Sequence, residues 1–599
     1  MNLSLLDWTV IAAYFLFNLG IGIYYARRAS GSTSEFFLSG RNVPWWLAGT
    51  SMVATTFAAD TPLAVTGFVA KNGIAGNWLW WNFVMSGMLT VFLYARLWRR
   101  AGVMTDIEFA ELRYSGKPAA FLRGFRALYL GLPINCIILG WVNLAMVKIL
   151  EITLGVSKRG AIMIVIGMLI FTAFYTAISG LWGVLVTDLF QFALKMGMVI
   201  VLAILAVNAV GGIDAMKAQI TAMDAGSGSR LAFFPEFDSA WMPAITLFVY
   251  LGVIWWSTWY PGAEPGGGGY IAQRIFSAKN ERHGLLATLW FNVAHYALRP
   301  WPWILTALAS LILYPNLVDK ESGYIVTLMD PNVFPTYLRG FMLAAFAAAY
   351  MSTIGTQLNW GASYVINDFY RRFIQREASE KHYVIASQVV TGLLMLVSLV
   401  VTFYMESIGG AWKLLLVTGA GTGTVLLLRW YWWRINAWSE VSAMITAAII
   451  SIFLQLVLRW DSDQPRDFAY LMLVTVGMTS LVWIVVTMLT SPEPMEKLIA
   501  FYRRVRPEGP GWNDIAARAD LAESHAQGRL SLHFVNWILG CALIYGSLFG
   551  IGKLIFKEWA AAALYVAIAI VAGVLISRNL SRGETTAEAL RLEHAEESV

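Results

Sequence analysis

The chain has 599 residues, of which 58% are hydrophobic and only 13% charged. Soluble proteins carry about 25% charged residues, so this composition excludes a disordered chain, a coiled coil and an ordinary soluble enzyme. The net charge of +6 fits either nucleic-acid binding or basic loops facing a cytoplasm, and Cys136 and Cys541, both in apolar runs, give neither a disulfide framework nor a metal spacing.

Apolar runs of about 20 residues cross a bilayer as helices. Fifteen are expected, at roughly 7–26, 45–70, 75–100, 121–150, 160–179, 181–210, 241–262, 284–314, 336–370, 383–407, 411–434, 438–459, 468–490, 532–553 and 558–578. No Lys or Arg precedes the first run and Arg27 and Arg28 follow it, the reverse of a signal peptide, so an uncleaved first helix is expected. With the N-terminus outside, the inward connections and the tail hold 28 Lys and Arg, the outward ones hold 11, and Lys148, Lys195, Arg299 and Arg339 fall within spans. That split follows the positive-inside rule. It explains the basic charge without nucleic acid and places the C-terminus in the cytoplasm. The inward loop 491–531 begins Ser-Pro-Glu-Pro and reads as an amphipathic helix at the membrane interface.

Two spans are interrupted. The second contains Ala54-Thr55-Thr56-Phe57-Ala58-Ala59-Asp60-Thr61-Pro62. The seventh contains Trp255 to Pro265, with Trp259, Pro261, Gly262 and Glu264, and then Gly266 to Gly269. Proline and glycine are the worst helix formers, and unpaired backbone at membrane depth survives only where it lines a cavity or is buried in protein. Spans 2 and 7 lie five apart, so units of five helices beginning at each are mutually inverted. Breaks at matching positions of two inverted halves point to the binding site of a secondary transporter. Either break alone would read as a kink or a helix-end loop.

Ionisable residues inside the bilayer cost several kcal/mol, about 3 on insertion scales, and so point to function. Asp60 sits at the first break. In span 6, Asp188 is followed seven residues later by Lys195, on the same face two turns away. His295 and Arg299 in span 8 form another polar pair, which would serve structure equally well. In span 9, Ser352, Thr353 and Thr356 bring more hydroxyls than helix packing needs. Hard cations take several oxygens from carbonyls, hydroxyls and carboxylates, and hydroxyls facing freed carbonyls would make such a cage. Most of the 27 tryptophans are expected to be interface anchors, whereas the cluster near the second break, with Trp255 and Trp259, suits stacking on a sugar ring or contact with a cationic group. Enzyme signatures are absent: the six histidines show no HExxH spacing, and Gly421-Thr422-Gly423 is too short for a nucleotide loop.

Several segments together carry a family resemblance: Ser51 to Asp60, Gly180 to Asp188 with Gln191, Tyr270 to Arg274 followed by Ala278 and Lys279, Ala349 to Asn359, and Arg429 to Asn436. Over about residues 5–440 the chain resembles the sodium:solute symporter family of sodium-coupled sugar, proline and sialic acid carriers. The resemblance implies an all-α polytopic membrane protein with a LeuT-type five-plus-five inverted repeat. The expected parts are an extra N-terminal helix (1–43), repeat 1 (44–211), repeat 2 (240–434) and about four additional C-terminal helices with a loop and tail (435–599). It also implies a main sodium site made of the carbonyls of Ala54, Phe57 and Ala349 and the hydroxyls of Ser352 and Thr353. A second sodium site, present in some members, would fall on Asp188, Ser352, Gly355 and Thr356, with Gly355 standing where those members have serine. Tyr270 matches the inner gate tyrosine. Gly268 and Asn82 replace side chains that sugar carriers use, so sugar specificity does not carry over.

The expectation is therefore a plasma (inner) membrane symporter that imports a small polar solute, foremost a sugar or sugar derivative, with sodium as coupling ion. No enzymatic role, organic cofactor, nucleic acid or obligate protein partner is expected, and membrane lipid is the surrounding partner. An amino acid or organic acid carrier, driven by sodium or protons, is the alternative. A membrane-embedded enzyme would need a large catalytic loop, and a transporter-like sensor would need a signalling module. Asp60, Thr61, Asn82, Trp255, Trp259, Glu264 and Tyr270 are the candidate solute contacts.

Overall fold

The computed structural model describes residues 3–224, 229–257, 265–405, 415, 419–521 and 530–596. Among them, helices are the regular structure, and a single isolated β-bridge joins Val43 to Ala278. Ten helices are long and apolar enough to cross a membrane, and one bent pair adds another crossing. The opening helix α1 spans Leu5–Ala29. The bent pair is α2 (Trp45–Thr56) and α3 (Thr61–Asn72), which meet at 59°. Then come α4 (Ile74–Ala101), α5 (Gly116–Leu154) and α6 (Lys158–Ala209). The second interrupted span supplies α7 (Ala244–Ser257) and α8 (Gly269–Ser277), followed by α9 over 281–313, α10 (Thr336–Ile374) and α11 (Glu380–Tyr404). The C-terminal helices are α12 (Ala437–Leu456), α13 (Pro465–Leu489), the short α14 (Met495–Val505), α15 (Leu530–Ile555) and α16 (Trp559–Ser581).

Local chemistry explains both interruptions. α2 stops at Phe57, whose φ of −89° and ψ of 65° leave the helical region, and α3 restarts with Pro62 in its first turn. Proline fits there because the amide it lacks has no partner in a first helical turn. Beyond the second interruption, Gly266 and Gly267 adopt φ of 80° and 85°. A Cβ on Gly267 would stand 2.8 Å from the Thr90 methyl, and the Gly266 carbonyl accepts a 2.8 Å bond from Trp98 Nε1. Residues 258–264, with Trp259, Pro261 and Glu264, lie outside the described residues.

α6 runs for 52 residues, about 78 Å at 1.5 Å per residue and far beyond the ~30 Å hydrocarbon core. It is broken at Gly180, where φ is 54° and ψ is −153°, a conformation essentially reserved for glycine. That is the residue between the expected spans 160–179 and 181–210. The second half of α6 carries Asp188 and Lys195 and packs along α1, α2 and α10. α10 is buried almost throughout, while Phe174, Phe190, Leu393, Ile449 and Leu564 are exposed. Apolar side chains turned outward over many helices form the surface a bilayer solvates.

One expectation is corrected here. α14 does not spend its apolar face on lipid: Leu498, Phe501, Tyr502 and Val505 are buried against the protein, Phe501 packs on Phe109 and Trp512, and Lys497 Nζ donates to the Glu111 carbonyl at 2.6 Å. A moment across a helix marks an apolar stripe and leaves open whether lipid or protein covers it.

Candidate functional site

A cavity of about 220 Å³ opens at the α2–α3 break. Asp60, Thr61 and Tyr270, three of the candidate solute contacts, line it, and Trp80, Tyr296, His295 and Arg299 form much of its wall. His295 and Arg299 are placed by an unusual stretch of α9. Residues Val293–Leu298 form a π-helix, with the Arg299 amide donating to the Ala294 carbonyl five residues back at 3.2 Å. Such widened turns are frequent at functional sites. Trp80 stacks on Tyr296 with ring centroids 5.7 Å apart and meets His295 edge-on at 5.6 Å. Arg299 donates to Thr56 Oγ1 at 3.1 Å and lies over the Trp303 ring at 5.0 Å. His295 Nδ1 is 3.0 Å from Thr56 Oγ1, while its Nε2 lies 3.2 Å from Arg299.

The same wall carries buried polar atoms that have no partner among the described residues: Asp60 Oδ1, Asn292 Oδ1, Gln357 Oε1 and Arg299 Nε. A buried polar atom without a partner costs about 1–3 kcal/mol. Several of them aimed around one cavity suit a ligand with hydroxyl or carboxylate groups. Aromatic faces with a few placed polar groups are the usual make-up of a small-molecule site.

Beside the cavity, α2, α6, α8 and α10 meet in a buried polar junction. Asp188 accepts from Ser51 Oγ and Ser352 Oγ, both at 2.5 Å. Lys195 Nζ donates to the carbonyls of Ala54 at 2.7 Å and Phe57 at 3.2 Å. Thr353 Oγ1 donates to the Thr55 carbonyl at 2.8 Å and the Ala349 carbonyl at 3.2 Å. Arg274 donates to Thr356 Oγ1 at 2.8 Å and to Ser51 Oγ at 3.2 Å, and stands 4.0 Å from Asp188. Gln273 extends the network to Asn359 at 3.0 Å. The five residues proposed for the main sodium site thus gather at one junction, and so do Asp188 and Thr356 of the second. Two cationic side chains already engage the same oxygens.

Two solute candidates fall elsewhere. Asn82 is buried but turns its amide onto its own helix, donating to the Trp78 and Leu79 carbonyls at 2.9 and 3.0 Å. Trp255 faces away, bonded to the Leu251 carbonyl and packed on Trp537. Nearness in sequence to a break says nothing about which face of the helix a side chain occupies. Trp259 and Glu264 lie outside the described residues. Sequence reasoning missed Thr56, Tyr296, Asn292 and Gln357 as wall residues, and left His295 and Arg299 undecided. The polar side chains His295 and Arg299, four apart in an apolar span, were the available signal.

The sodium:solute symporter family model matches residues 36–447. A sodium/glucose cotransporter of Vibrio parahaemolyticus is 23% identical over 481 residues, covering 76% of this chain and 86% of that protein. Sodium/glucose cotransporter 1 of Oryctolagus cuniculus is 25% identical over 513 residues, covering 78% and 72%. The fold matches a Na+-coupled sialic acid symporter, solved substrate-bound and outward-open, with a TM-score of 0.66 and 19% identity over 82% of this chain and 99% of that one. The LeuT-type architecture implied by the family resemblance is therefore the fold of this chain, and with the family model spanning more than half its length the chain belongs to the sodium:solute symporter family.

Proposed function

We propose that the chain imports a small polar solute, a sugar or sugar derivative, through the cavity at the α2–α3 break. It would do so from the plasma (inner) membrane, with its N-terminus outside and its C-terminus in the cytoplasm, changing the solute's location and leaving its bonds intact. Sodium, the coupling ion of the family, would act at the junction of Ala54, Phe57, Ala349, Ser352 and Thr353, beside the solute cavity that Thr353 also lines. Asp188 and Thr356 would at most position that junction, since Arg274 stands against both. Coupling requires that sodium bind the outward-open form better than the inward-open one, because equal affinity shifts nothing. A potential of about 100 mV adds roughly 2.3 kcal/mol per charge carried inward.

The observation that carries this reading is the wall itself: the Trp80–Tyr296 stack beside unpartnered oxygens of Asp60, Asn292 and Gln357. A sugar ring presents an apolar face to aromatics and hydroxyls at its rim. Arg299 supports a second reading within the class, a solute with a carboxylate such as a sugar acid, because its free Nε sits in the same wall. Uptake into proteoliposomes tests both, with labelled hexoses, sialic acid, a hexuronate, proline and a dicarboxylate supplied with and without an inward sodium gradient. Accumulation of a hexose, sialic acid or the hexuronate is expected. Uptake of proline alone, or of the dicarboxylate alone, would move the assignment to the amino acid or organic acid class.

A further inference from the structure

The carbonyls of Ala54 and Phe57 sit at the C-terminal end of α2, where a helix presents its negative dipole end. They are also the two backbone ligands assigned above to sodium. In the structure they hold the ammonium of Lys195, at 2.7 and 3.2 Å, with the Phe57 ring face 5.1 Å from the same nitrogen. Lys195 is 1% exposed, so these contacts replace its water. A buried lysine in a membrane helix is held by such contacts or it is not tolerated. Its reach comes from α6, whose side chains at Asp188 and Lys195 share a face.

We propose that Lys195 is a tethered cation of the main ion site, and that its ammonium and a sodium ion exclude each other from the Ala54 and Phe57 carbonyls. This rests on the reading that those carbonyls bind sodium. The exclusion is steric first. An ion at about 2.4 Å from both oxygens, the range hard cations adopt, would overlap the space of a nitrogen bonded to the same oxygens. It is also electrostatic. Asp188 brings one negative charge to the junction, and Arg274 at 4.0 Å already faces it. Sodium beside an undisplaced Lys195 would add a third positive charge to a site shielded from water. The covalent tether keeps the ammonium at high effective concentration, so sodium enters only when Lys195 withdraws. Withdrawal toward Asp188, along the face they share, would carry the ammonium to the carboxylate that bonds Ser352.

Binding of radioactive sodium to the purified full-length protein in lipid nanodiscs tests this without knowledge of the solute. Lys195→Met keeps the chain length without the charge, and Lys195→Ala clears the space. Both are expected to lower the half-saturating sodium concentration at least about tenfold relative to the unaltered protein, since two charge-assisted bonds no longer compete. Thr353→Ala in the Lys195→Ala background should reverse the gain, tying the bound ion to this junction. Sodium should also raise the melting temperature of Lys195→Ala more than that of the unaltered chain, as mass action requires. Equal sodium affinity in all three forms, with Thr353→Ala still abolishing binding, would overturn the exclusion and leave the ion-site reading standing. Absence of sodium binding in folded Lys195→Ala and Lys195→Met alike would overturn both.

Discussion

Trp80 packs against both Tyr296 and His295 on one side of the cavity, and Asn77 Oδ1 accepts from its indole nitrogen at 3.0 Å. Its ring is therefore pre-oriented, and removing it takes away a stacking face without disturbing the ion junction. Aromatic contacts contribute about 0.5–1.5 kcal/mol beyond burial, so Trp80→Ala should raise the half-saturating solute concentration by roughly 2- to 12-fold. Solute titrations monitored by uptake would show it, and an unchanged value would place the solute elsewhere. Arg299→Gln separates the two solute readings. A hexuronate should lose at least about tenfold in affinity, as a charge-assisted bond of about 1.5–3 kcal/mol disappears, whereas a neutral hexose should lose less. Asp188 is a different case, because it meets Ser51, Ser352 and Arg274 in full burial. Breaking a buried charge arrangement from one side costs about 3–5 kcal/mol. Asp188→Asn should therefore lower the melting temperature clearly, while the conservative Ser352→Ala, which leaves the charge in place, should lower it less.

Helix breaks divide into those that the chain writes locally and those that depend on partners. Gly180 belongs to the first kind. Its φ of 54° and ψ of −153° suit only glycine, and a Cβ would stand 2.6 Å from the Phe36 carbonyl oxygen. Gly180→Ala should thus destabilise by several kcal/mol, about 1–3 from the backbone alone, and reduce the yield of folded protein in a thermal or size-exclusion assay. A variant as stable as the unaltered chain would mean that the turn relaxes. Pro62 and the Gly266–Gly267 pair are equally local, which is why both breaks are legible in the amino-acid sequence alone. The faces are not. Asn82 sits in the helix that forms the cavity wall, yet its amide closes on Trp78 and Leu79. Lys195 is legible as a polar residue seven after Asp188, but its target is a pair of carbonyls 141 and 138 positions earlier in the chain. A pairing across helices leaves no periodic trace in either of them. Arg299 and His295 are ambiguous for the same reason, since four-apart polar residues look alike whether they brace a helix or line a cavity.

Across the whole molecule, alternating access requires the two ends of the cavity to open in turn. The end that carries Arg27, Arg28, Arg371 and Arg372 is tied together in the structure. Glu111, between α4 and α5, bonds Arg123 at 2.8 Å and Arg372 at 2.8 Å, while Arg123 also bonds Asp368 at 2.8 Å. Arg123 lies on α5 and Arg372 near the end of α10, so Glu111 ties the connection between α4 and α5 to both helices. Burial pushes the Glu111 carboxyl up, but the bonds from Arg372 and Arg123 outweigh it and hold the group below the usual carboxylate range. A lowered folded value means that the bridge is fully present at neutral pH and is lost only as pH falls through that value. Between pH 6 and 8 the two Glu111 bonds should therefore not change. Glu111→Gln mimics its acid form at neutral pH. Partly exposed ion pairs contribute about 0.2–1 kcal/mol each, so losing two should favour opening at this end by roughly 2- to 30-fold. Ile271, buried against the cavity, is a suitable reporter as Ile271→Cys in a Cys136→Ser, Cys541→Ser background. In inside-out vesicles at one fixed pH, an impermeant thiol reagent should label it faster by that factor when Glu111→Gln is added. Equal labelling rates with and without Glu111→Gln would show that the barrier to opening lies in the buried junction around Asp188 and Lys195, and that the surface clamp follows it.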